Sequence, residues 1–301
     1  MQIKPITASL RLRTLPLSMA GVILGIMLAQ AEYLVDWRTS LFIILTTISL
    51  QILSNLSNEL GDVLKGTDTP KRQGPAYGLG GGLTIEGMRL LIGIFIGLCL
   101  VFGLLMIYFS FGTLFSFESI CLMLLGASAI LGAMKYTLGR NPYGYRGLGD
   151  IYVFIFFGLV SVLGAYFVSA HEIPTYILLL PAASIGCFSV AVLNVNNIRD
   201  MSTDAENRVT VALKLGLKGA RIYQTVLIFV GWAFMLAFCS LRFFDLWHYL
   251  FVLTLPLFII HLAGVWKNKD KALDPMLPLL VISTFLFSLL TGAGFLVFLL
   301  F

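Results

Sequence analysis

The chain has 301 residues, of which 58% are hydrophobic, and its formal net charge is +5. Charged residues make up only 12% of it, against about 25% in soluble domains. This composition excludes an ordinary soluble domain, and apolar runs of about 20 residues predict transmembrane helices. The runs lack the alternating pattern of a membrane β-barrel, and the positive charge is no indication of nucleic-acid binding.

Nine apolar segments predict an all-α, polytopic membrane protein that forms one transmembrane domain over residues 1–301. The predicted spans are 14–31, 40–61, 87–109, 118–137, 148–169, 174–196, 221–241, 246–266 and 276–300. The first four spans and the next four each place an acidic stretch after their second helix. We therefore expect two four-helix repeats plus one helix, with a site between the halves.

Basic residues predict the orientation, because cytoplasmic loops carry an excess of lysine and arginine. The amino-terminal segment and the loops at 62–86, 138–147, 197–220 and 267–275 are basic, and nine spans put them all on one side. Only Arg38 and Arg242 fall on the other side. We expect a multi-pass protein of the cell inner membrane, with the amino terminus and active site cytoplasmic and the carboxyl terminus outside.

The first acidic stretch follows the second predicted span. It contains Asn58, Asp62 and Asp68, with the cations Lys65 and Arg72 beside them. Residues four apart share one face of a helix, so Asn58 and Asp62 should project together. This arrangement predicts a cluster of oxygen ligands where the helix meets the cytoplasm.

The second acidic stretch follows the sixth predicted span and repeats the pattern. Asn196, Asp200 and Asp204 are spaced four apart, and Arg199 and Arg208 accompany them. A single cluster of this kind is typical of a solvated helix end. Two matched clusters in so apolar a chain instead favour one shared ligand.

Carboxylate and amide oxygens suit Mg²⁺, which commonly bridges one or two carboxylates to phosphate oxygens. Nearby cations stabilise a departing diphosphate. We therefore interpret the four aspartates as catalytic and expect the cations to bind substrate. The expected metal ligands are Asn58, Asp62, Asp68, Asn196, Asp200 and Asp204.

These stretches carry a resemblance that covers nearly the whole chain. The first motif with its Arg72–Pro75 turn, the Pro142–Asp150 stretch and the second motif through Gly216 resemble the UbiA superfamily of intramembrane prenyltransferases. Within it, the Arg72–Pro75 and Pro142–Asp150 stretches resemble the subgroup that prenylates 1,4-dihydroxy-2-naphthoate in menaquinone synthesis. The acidic motifs carry the superfamily resemblance.

The resemblance also implies substrate-binding residues outside the acidic motifs. Tyr136 and Arg140 fit a Tyr-x-x-x-Lys pattern of the superfamily, with arginine for lysine, and Tyr145 lies in the Pro142–Asp150 stretch. Arg208 stands where the family usually has lysine. Asp150 opens the fifth predicted span, where an acid favours the helix amino terminus. A place beside the aromatic acceptor is the alternative for Asp150.

The implied reaction is a Mg²⁺-dependent aromatic prenylation. A polyprenyl diphosphate ionises, the naphthoate ring attacks the allylic carbon, and diphosphate and carbon dioxide leave to give demethylmenaquinol. Arg140 or Arg146 would meet the carboxylate of the acceptor, since guanidinium pairs well with a planar anion. The lipid bilayer would accommodate the prenyl chain.

Two alternatives remain open at this point. Other members of the superfamily prenylate 4-hydroxybenzoate, homogentisate, haem or lipid acceptors. A secondary transporter would also show internal repeats and intramembrane polar groups. Transporters usually carry their charges near the middle of the bilayer, whereas this chain gathers them at one face.

Overall fold

The computed structural model describes residues 3–65, 79, 83–140, 142–205, 208–242 and 245–297. Nine helices within these residues are long and apolar enough to cross a membrane, which confirms the number predicted. We number them spans 1 to 9: Pro5–Gln30, Trp37–Leu64, Ile85–Phe111, Phe117–Lys135, Gly149–Ala170, Tyr176–Arg199, Val211–Leu241, Leu246–Lys267 and Asp270–Val297. The all-α class is confirmed as well, since the described residues form no β-strand and contain only one isolated β-bridge, between Arg146 and Val209.

Hydroxyl side chains begin three of the spans. Thr84, Ser116 and Thr210 each accept a hydrogen bond from the backbone amide three residues later, at 3.0 to 3.2 Å. Such caps satisfy amides that the first helical turn leaves unpaired. The Thr210 cap lets span 7 begin at Val211, well before the predicted residue 221, because the basic first turns of this helix extend beyond the apolar run.

Three spans are not continuous α-helices. Span 1 consists of Ile3–Leu10 and Leu15–Gln30, joined through Arg11 and a 3₁₀ turn at Leu12–Thr14. Span 5 is wound as a π-helix at Phe154–Val160, between α-helical ends at Gly149–Val153 and Ser161–Ala170. Span 7 breaks at Gly216, which has a φ of 66°. Breaks of this kind often accompany functional sites.

Spans 6, 8 and 9 each begin with a short 3₁₀ segment, whereas spans 2, 3 and 4 are α-helical throughout. Span 6 runs through Tyr176–Leu178 into Leu179–Arg199, and span 8 runs through Leu246–Thr254 into Leu255–Lys267. Span 9 comprises Asp270–Leu273 and Met276–Val297. Two short helices, Tyr143–Tyr145 and Met201–Asp204, lie in the connections after spans 4 and 6.

The packing of the spans reflects the two repeats. Span 2 packs along span 3, and span 6 packs in the same way along span 7. Span 1 joins the halves, because it packs on span 2, span 5 and span 9. Spans 5 and 6 meet at Gly158 and Gly186, where an added Cβ on Gly158 would lie 2.6 Å from the Gly186 Cα. Small residues permit such close helix contacts in membranes.

The two halves are packed to different degrees. Spans 6 to 9 enclose a core of fully buried aromatic rings that includes Phe188, Phe238, Phe251, Phe258 and Phe287. Span 4 contributes one buried residue, Ser119. The amino-terminal half therefore leaves space between its helices, and the candidate site opens into that space.

Candidate active site

A cavity of about 480 Å³ lies between spans 1, 2, 4, 5, 6 and 9. Its deep walls are largely apolar, whereas polar side chains gather at the end where spans 2 and 6 terminate. Six of the residues predicted from the sequence line it: Asn58, Asp62, Tyr136, Asn196, Arg199 and Arg208. The structure therefore brings the two distant acidic stretches together at one end of an apolar cavity.

Asp62 is the buried carboxylate of the first motif. It is 2% exposed, and its Oδ1 accepts a hydrogen bond of 2.6 Å from the Tyr145 hydroxyl. Arg208 Nη2 lies 2.5 Å from the same oxygen. One turn earlier, the Thr137 hydroxyl lies 3.2 Å from Asn58 Oδ1 and holds that amide beside the cavity. Asn58 and Asp62 thus share a face, as the spacing predicts.

The second motif forms a network around Arg199. Arg199 donates to both oxygens of Asp200, at 2.8 and 2.6 Å, and to Asn196 Oδ1 at 2.9 Å. It also pairs with Asp274 at 3.1 Å. This guanidinium is buried, so its charge needs these partners. Asp200 itself does not line the described walls of the cavity. It binds Arg199, which does line them.

Arg208 connects the two motifs. Besides Asp62 it approaches Asp204, with Nε 3.7 Å from Oδ1, and its guanidinium lies 4.7 Å from the centre of the Tyr145 ring. Burial lowers the pKa of Arg208, but the carboxylates of Asp62 and Asp204 outweigh that effect and raise it above the usual value. Arg208 is therefore a permanent cation between carboxylates contributed by both halves.

Tyrosines flank this ion cluster. Lys65 Nζ lies 4.7 Å from the Tyr145 ring centre, so Lys65 and Arg208 are two cations beside the same ring. The Tyr136 ring meets the Tyr143 ring edge-on at 5.3 Å. Burial raises the pKa of Tyr136 to about 12, so its phenol is a neutral hydrogen-bond donor at physiological pH.

An aromatic ladder continues from Tyr143 into the cavity. Tyr143 stacks on Tyr152 at 3.9 Å between ring centres, and Tyr152 stacks on Phe156 at 6.3 Å. The Tyr143 hydroxyl donates to the Gly132 carbonyl oxygen at 2.7 Å, which fixes the ladder against span 4. Sequence reasoning did not assign Tyr143 or Tyr152 to the site. The one available signal was the four-residue spacing of Tyr152 and Phe156.

The amino-terminal segment also contributes to the cavity, which the sequence reasoning missed. Arg11, in a left-handed conformation with a φ of 48°, and Arg13 both line it. Beside them, Asn55 Nδ2 donates to the Leu10 carbonyl oxygen and to Thr14 Oγ1, each at 3.0 Å. These bonds tie the break in span 1 to span 2. No local pattern placed these two arginines there.

Other predicted residues lie away from the cavity walls. Arg140 is exposed, and so is Arg146. Asp150 accepts a hydrogen bond of 3.1 Å from the Tyr223 hydroxyl and faces span 7. Their substrate-binding roles stay predictions. Asp68 and Arg72 lie outside the described residues.

Glu59 follows Asn58 in the first motif but is not one of the predicted metal ligands. It is fully buried, and its Oε1 accepts a hydrogen bond of 2.7 Å from the Leu79 amide. The side chain therefore holds Leu79 against span 2. It points away from the face shared by Asn58 and Asp62.

The donor set fits a hard divalent cation. Asp62, Asp200 and Asp204 supply carboxylate oxygens, and Asn58 and Asn196 supply amide oxygens, which are the ligands that Mg²⁺ accepts. Within the described residues, no three side chains of the His, Cys, Asp or Glu type are grouped as a protein-only metal cage. A cation shared between one or two carboxylates and a phosphate would need no such cage.

Comparisons with known proteins agree with this geometry. A model of the UbiA prenyltransferase family matches residues 18–289. The chain is 39% identical over 290 residues to a protein of Escherichia coli (strain K12) named 1,4-dihydroxy-2-naphthoate octaprenyltransferase, covering 95% of this chain and 93% of that one. A protein of the same name from Haemophilus influenzae is 36% identical over 296 residues, covering 95% and 94%.

A solved structure shares the fold. It is described as the apo structure of a UbiA homolog from Aeropyrum pernix K1 and superposes with a TM-score of 0.69. The superposition covers 99% of this chain and 100% of that chain, at 15% identity. At that identity, the likeness concerns the helical architecture alone.

Proposed function

The chain belongs to the UbiA prenyltransferase family, and from this premise we propose its reaction. It transfers a polyprenyl group from an allylic diphosphate to 1,4-dihydroxy-2-naphthoate, releasing diphosphate and carbon dioxide and giving demethylmenaquinol. The names of the relatives from Escherichia coli and Haemophilus influenzae support this acceptor. The protein itself is a multi-pass membrane enzyme with nine apolar helices in its described part.

One observation carries the proposal: an ion cluster built from both halves lies at the polar end of an apolar cavity. Asp62 comes from span 2, Asp204 follows span 6, and Arg208 contacts both. An allylic diphosphate has the same division, with a highly charged head and an apolar chain. The head would lie at the cluster and the chain in the apolar part of the cavity.

The residues of the cluster would hold the diphosphate in two ways. Mg²⁺, when bound, would supply positive charge that stabilises the leaving diphosphate. Asn58, Asp62, Asn196, Asp200 and Asp204 would hold the metal, together with Asp68 by sequence. Arg199 and Arg208 would then turn from their carboxylates to phosphate oxygens, for which guanidinium offers paired donors. Lys65, beside the Tyr145 ring, would add a further positive charge. When no diphosphate is bound, Arg199 and Arg208 balance the charge of the carboxylates.

The aromatic ladder would act on the allylic carbon. As the bond from that carbon to the diphosphate oxygen breaks, positive charge develops there. Faces of aromatic rings attract a nearby cation, and Tyr143, Tyr152 and Phe156 line the cavity next to the ion cluster. The apolar walls exclude water, which would otherwise quench the cation.

The proposed reaction step does not need a protein side chain to act as a base. The ring carbon that bears the carboxylate attacks the allylic carbon, and a carbon–carbon bond forms. The carboxylate then leaves as carbon dioxide, and its bonding electron pair restores the aromatic ring. This route does not require a histidine, and none of the three histidines lines the described walls of the cavity.

Arg11 and Arg13 are the arginines we assign to the acceptor carboxylate. They line the same cavity as the ion cluster, whereas Arg140 and Arg146 do not line its described walls. Gln51 also lines it, and its amide nitrogen lies 3.1 Å from Asn55 Oδ1. The three side chains form a polar wall to which the planar carboxylate can bind.

We also propose the orientation of the protein. The site would lie on the cytoplasmic side with the amino terminus, and the carboxyl terminus would lie outside, in the cell inner membrane. The distribution of lysine and arginine supports this arrangement. Both substrates would then be drawn from the cytoplasmic leaflet.

The test is a comparison of acceptors with purified protein and one labelled allylic diphosphate. We expect 1,4-dihydroxy-2-naphthoate to be consumed with release of carbon dioxide, and 4-hydroxybenzoate to be a poor substrate. Preferential prenylation of 4-hydroxybenzoate with its carboxyl retained would overturn the naphthoate assignment and keep the prenyltransferase. Absence of any prenyl transfer would overturn the proposal altogether.

A further inference from the structure

A chain of hydrogen bonds between buried polar side chains crosses the carboxyl-terminal part of the protein. Asn194 of span 6 donates from Nδ2 to Gln224 Oε1 of span 7 at 2.8 Å, and Gln224 Nε2 lies 2.9 Å from His261 Nε2 of span 8. His261 Nδ1 lies 3.0 Å from the Met276 carbonyl oxygen of span 9. The chain of hydrogen bonds therefore joins spans 6, 7, 8 and 9.

Backbone carbonyls at both ends give these hydrogen bonds a single direction. The Met276 carbonyl oxygen can only accept, so His261 donates from Nδ1 and accepts at Nε2 from the Gln224 amide. At the other end, Asn194 Nδ2 also donates to the Ala220 carbonyl oxygen, at 3.0 Å. The reverse assignment would place the Asn194 amide oxygen against that carbonyl oxygen. The imidazole of His261 is therefore neutral, and each of the three side chains has one favoured orientation.

The three side chains are buried away from the cavity. Asn194, Gln224 and His261 are each 0% exposed, and none of them lines the described walls of the cavity. An apolar cluster that includes Val195 and Ile198 packs the same four spans together. Apolar contacts are non-directional, whereas a hydrogen bond requires a particular distance and angle. The hydrogen bonds therefore define the rotation of these helices more narrowly than the apolar cluster does.

Two of the joined helices carry parts of the second motif network close to these hydrogen bonds. Asn196 and Arg199 follow Asn194 on span 6, and both line the cavity. Asp274, which pairs with Arg199 at 3.1 Å, lies two residues before Met276 on span 9. At 3.6 residues per turn, Asn194 and Asn196 are separated by about 200° around the helix. When Asn194 faces span 7, Asn196 is thereby turned to the opposite side, towards the cavity.

We propose that Asn194, Gln224 and His261 are positioning residues, which hold span 6 at the rotation where the second motif faces the cavity. They touch neither substrate and act through Asn196 and Arg199. The proposal rests on the proposed function, in which the second motif holds Mg²⁺ and the diphosphate. Buried polar networks of this kind make one packing arrangement more favourable than its alternatives.

The test measures the binding of Mg²⁺ and inorganic diphosphate when the hydrogen bonds are interrupted. His261→Leu removes both hydrogen bonds of the imidazole and keeps an apolar side chain in the core. At fixed diphosphate in detergent, we expect the Mg²⁺ concentration for half of the Tm increase to rise at least about tenfold, as when a residue behind a metal ligand is lost. The KM for the allylic diphosphate should rise as well. The KM for the naphthoate should change little, because Arg11 and Arg13 line the cavity from span 1.

His248→Leu is the matched control. His248 is the other buried histidine of span 8, and its ring stacks on Phe295 at 4.0 Å between centres, at the opposite end of the span. This variant should also lower the Tm, but the Mg²⁺ midpoint and both KM values should stay unchanged. If His261→Leu lowers the Tm without moving the midpoint, its role is only structural and the positioning proposal is overturned.

Two further variants separate the hydrogen bonds from the packing. Methionine resembles glutamine in size but cannot donate to His261, so Gln224→Met should raise the midpoint as His261→Leu does. The double variant should add little, because both changes interrupt the same network. His261→Gln keeps a side-chain oxygen that can accept from Gln224 and should bind Mg²⁺ more tightly than His261→Leu. Additive effects, or equal midpoints in the two His261 variants, would overturn the proposal.

Binding of Mg²⁺ and inorganic diphosphate can be measured without prenyl transfer. An unmodified chain that binds both but transfers no prenyl group would overturn the proposed function, and the shift of the midpoint in His261→Leu would still support the positioning role. Prenyl transfer by the unmodified chain with no shift in any of the variants would overturn the positioning role and leave the proposed function standing.

Discussion

Arg208 and Asp62 form an ion pair, 2.5 Å from Nη2 to Oδ1, in which Asp62 is buried and Arg208 is half-buried, and the two residues are 146 positions apart in the sequence. This pair joins the two halves of the protein at the candidate site. Removing one partner of a buried pair costs about 3–5 kcal/mol, because the other charge is left uncompensated. The pair therefore affects both the stability of the protein and its reaction.

Replacement of Arg208 tests this double role. We expect Arg208→Ala to lower the rate about 100-fold, as for loss of one electrostatic stabiliser, and to lower the Tm in detergent. Mg²⁺ should raise the Tm of this variant more than that of the unmodified chain, since the metal replaces the missing cation. Arg208→Lys keeps the charge and should retain more activity than Arg208→Ala. If Mg²⁺ raises the Tm of both chains by the same amount, the metal does not replace the cation of Arg208.

Replacement of the motif aspartates tests the metal ligands. Asp62→Asn and Asp200→Asn each remove one negative charge at nearly constant volume, and each should lower kcat by at least about 100-fold. Asp270→Asn is the control, because Asp270 is exposed and has a φ of 48°, a conformation that asparagine also tolerates. Normal turnover by both motif variants would show that these carboxylates do not participate in the reaction.

The dependence of the reaction on a divalent metal can be tested by removing the metal. Activity should disappear in excess chelator and return with Mg²⁺, because the acidic clusters need a cation to hold a diphosphate. In parallel, Mg²⁺ and inorganic diphosphate together should raise the Tm more than either alone. Full turnover without any divalent ion would rule out the metal-dependent mechanism.

Two pairs of arginines are candidates for binding the acceptor carboxylate, and replacing each pair tests which of them does so. Arg11→Ala and Arg13→Ala should raise the KM for 1,4-dihydroxy-2-naphthoate about tenfold or more, since a charged hydrogen bond contributes about 1.5–3 kcal/mol. The KM for the allylic diphosphate should change little. If Arg140→Ala or Arg146→Ala raises the acceptor KM instead, the carboxylate lies at the exposed loop, as the sequence alone predicted.

Orientation can be tested by labelling single cysteines in intact cells. A membrane-impermeant thiol reagent should reach residue 38 when Arg38 is replaced by cysteine. It should not reach residue 146 when Arg146 is replaced in the same way. Both arginines are exposed, so accessibility alone does not bias the comparison. Labelling at residue 146 from outside would invert the proposed topology.

The number of spans, the two polar helix faces and the family could all be predicted from the sequence. Composition and apolar run length led to nine spans, because a bilayer demands about 20 apolar residues for each crossing. The helical spacing of Asn58 with Asp62, and of Asn196 with Asp200, identified two polar faces since that geometry is local. The acidic motifs also led to the family, which the match over residues 18–289 establishes.

Which distant residues meet at the site, and which side chains reach the cavity, could be seen only in the tertiary structure. Arg208 meets Asp62 across the halves, Arg11 and Arg13 reach the cavity from the break in span 1, and Arg140 remains exposed. Each of these positions depends on how whole helices pack, which no local pattern encodes.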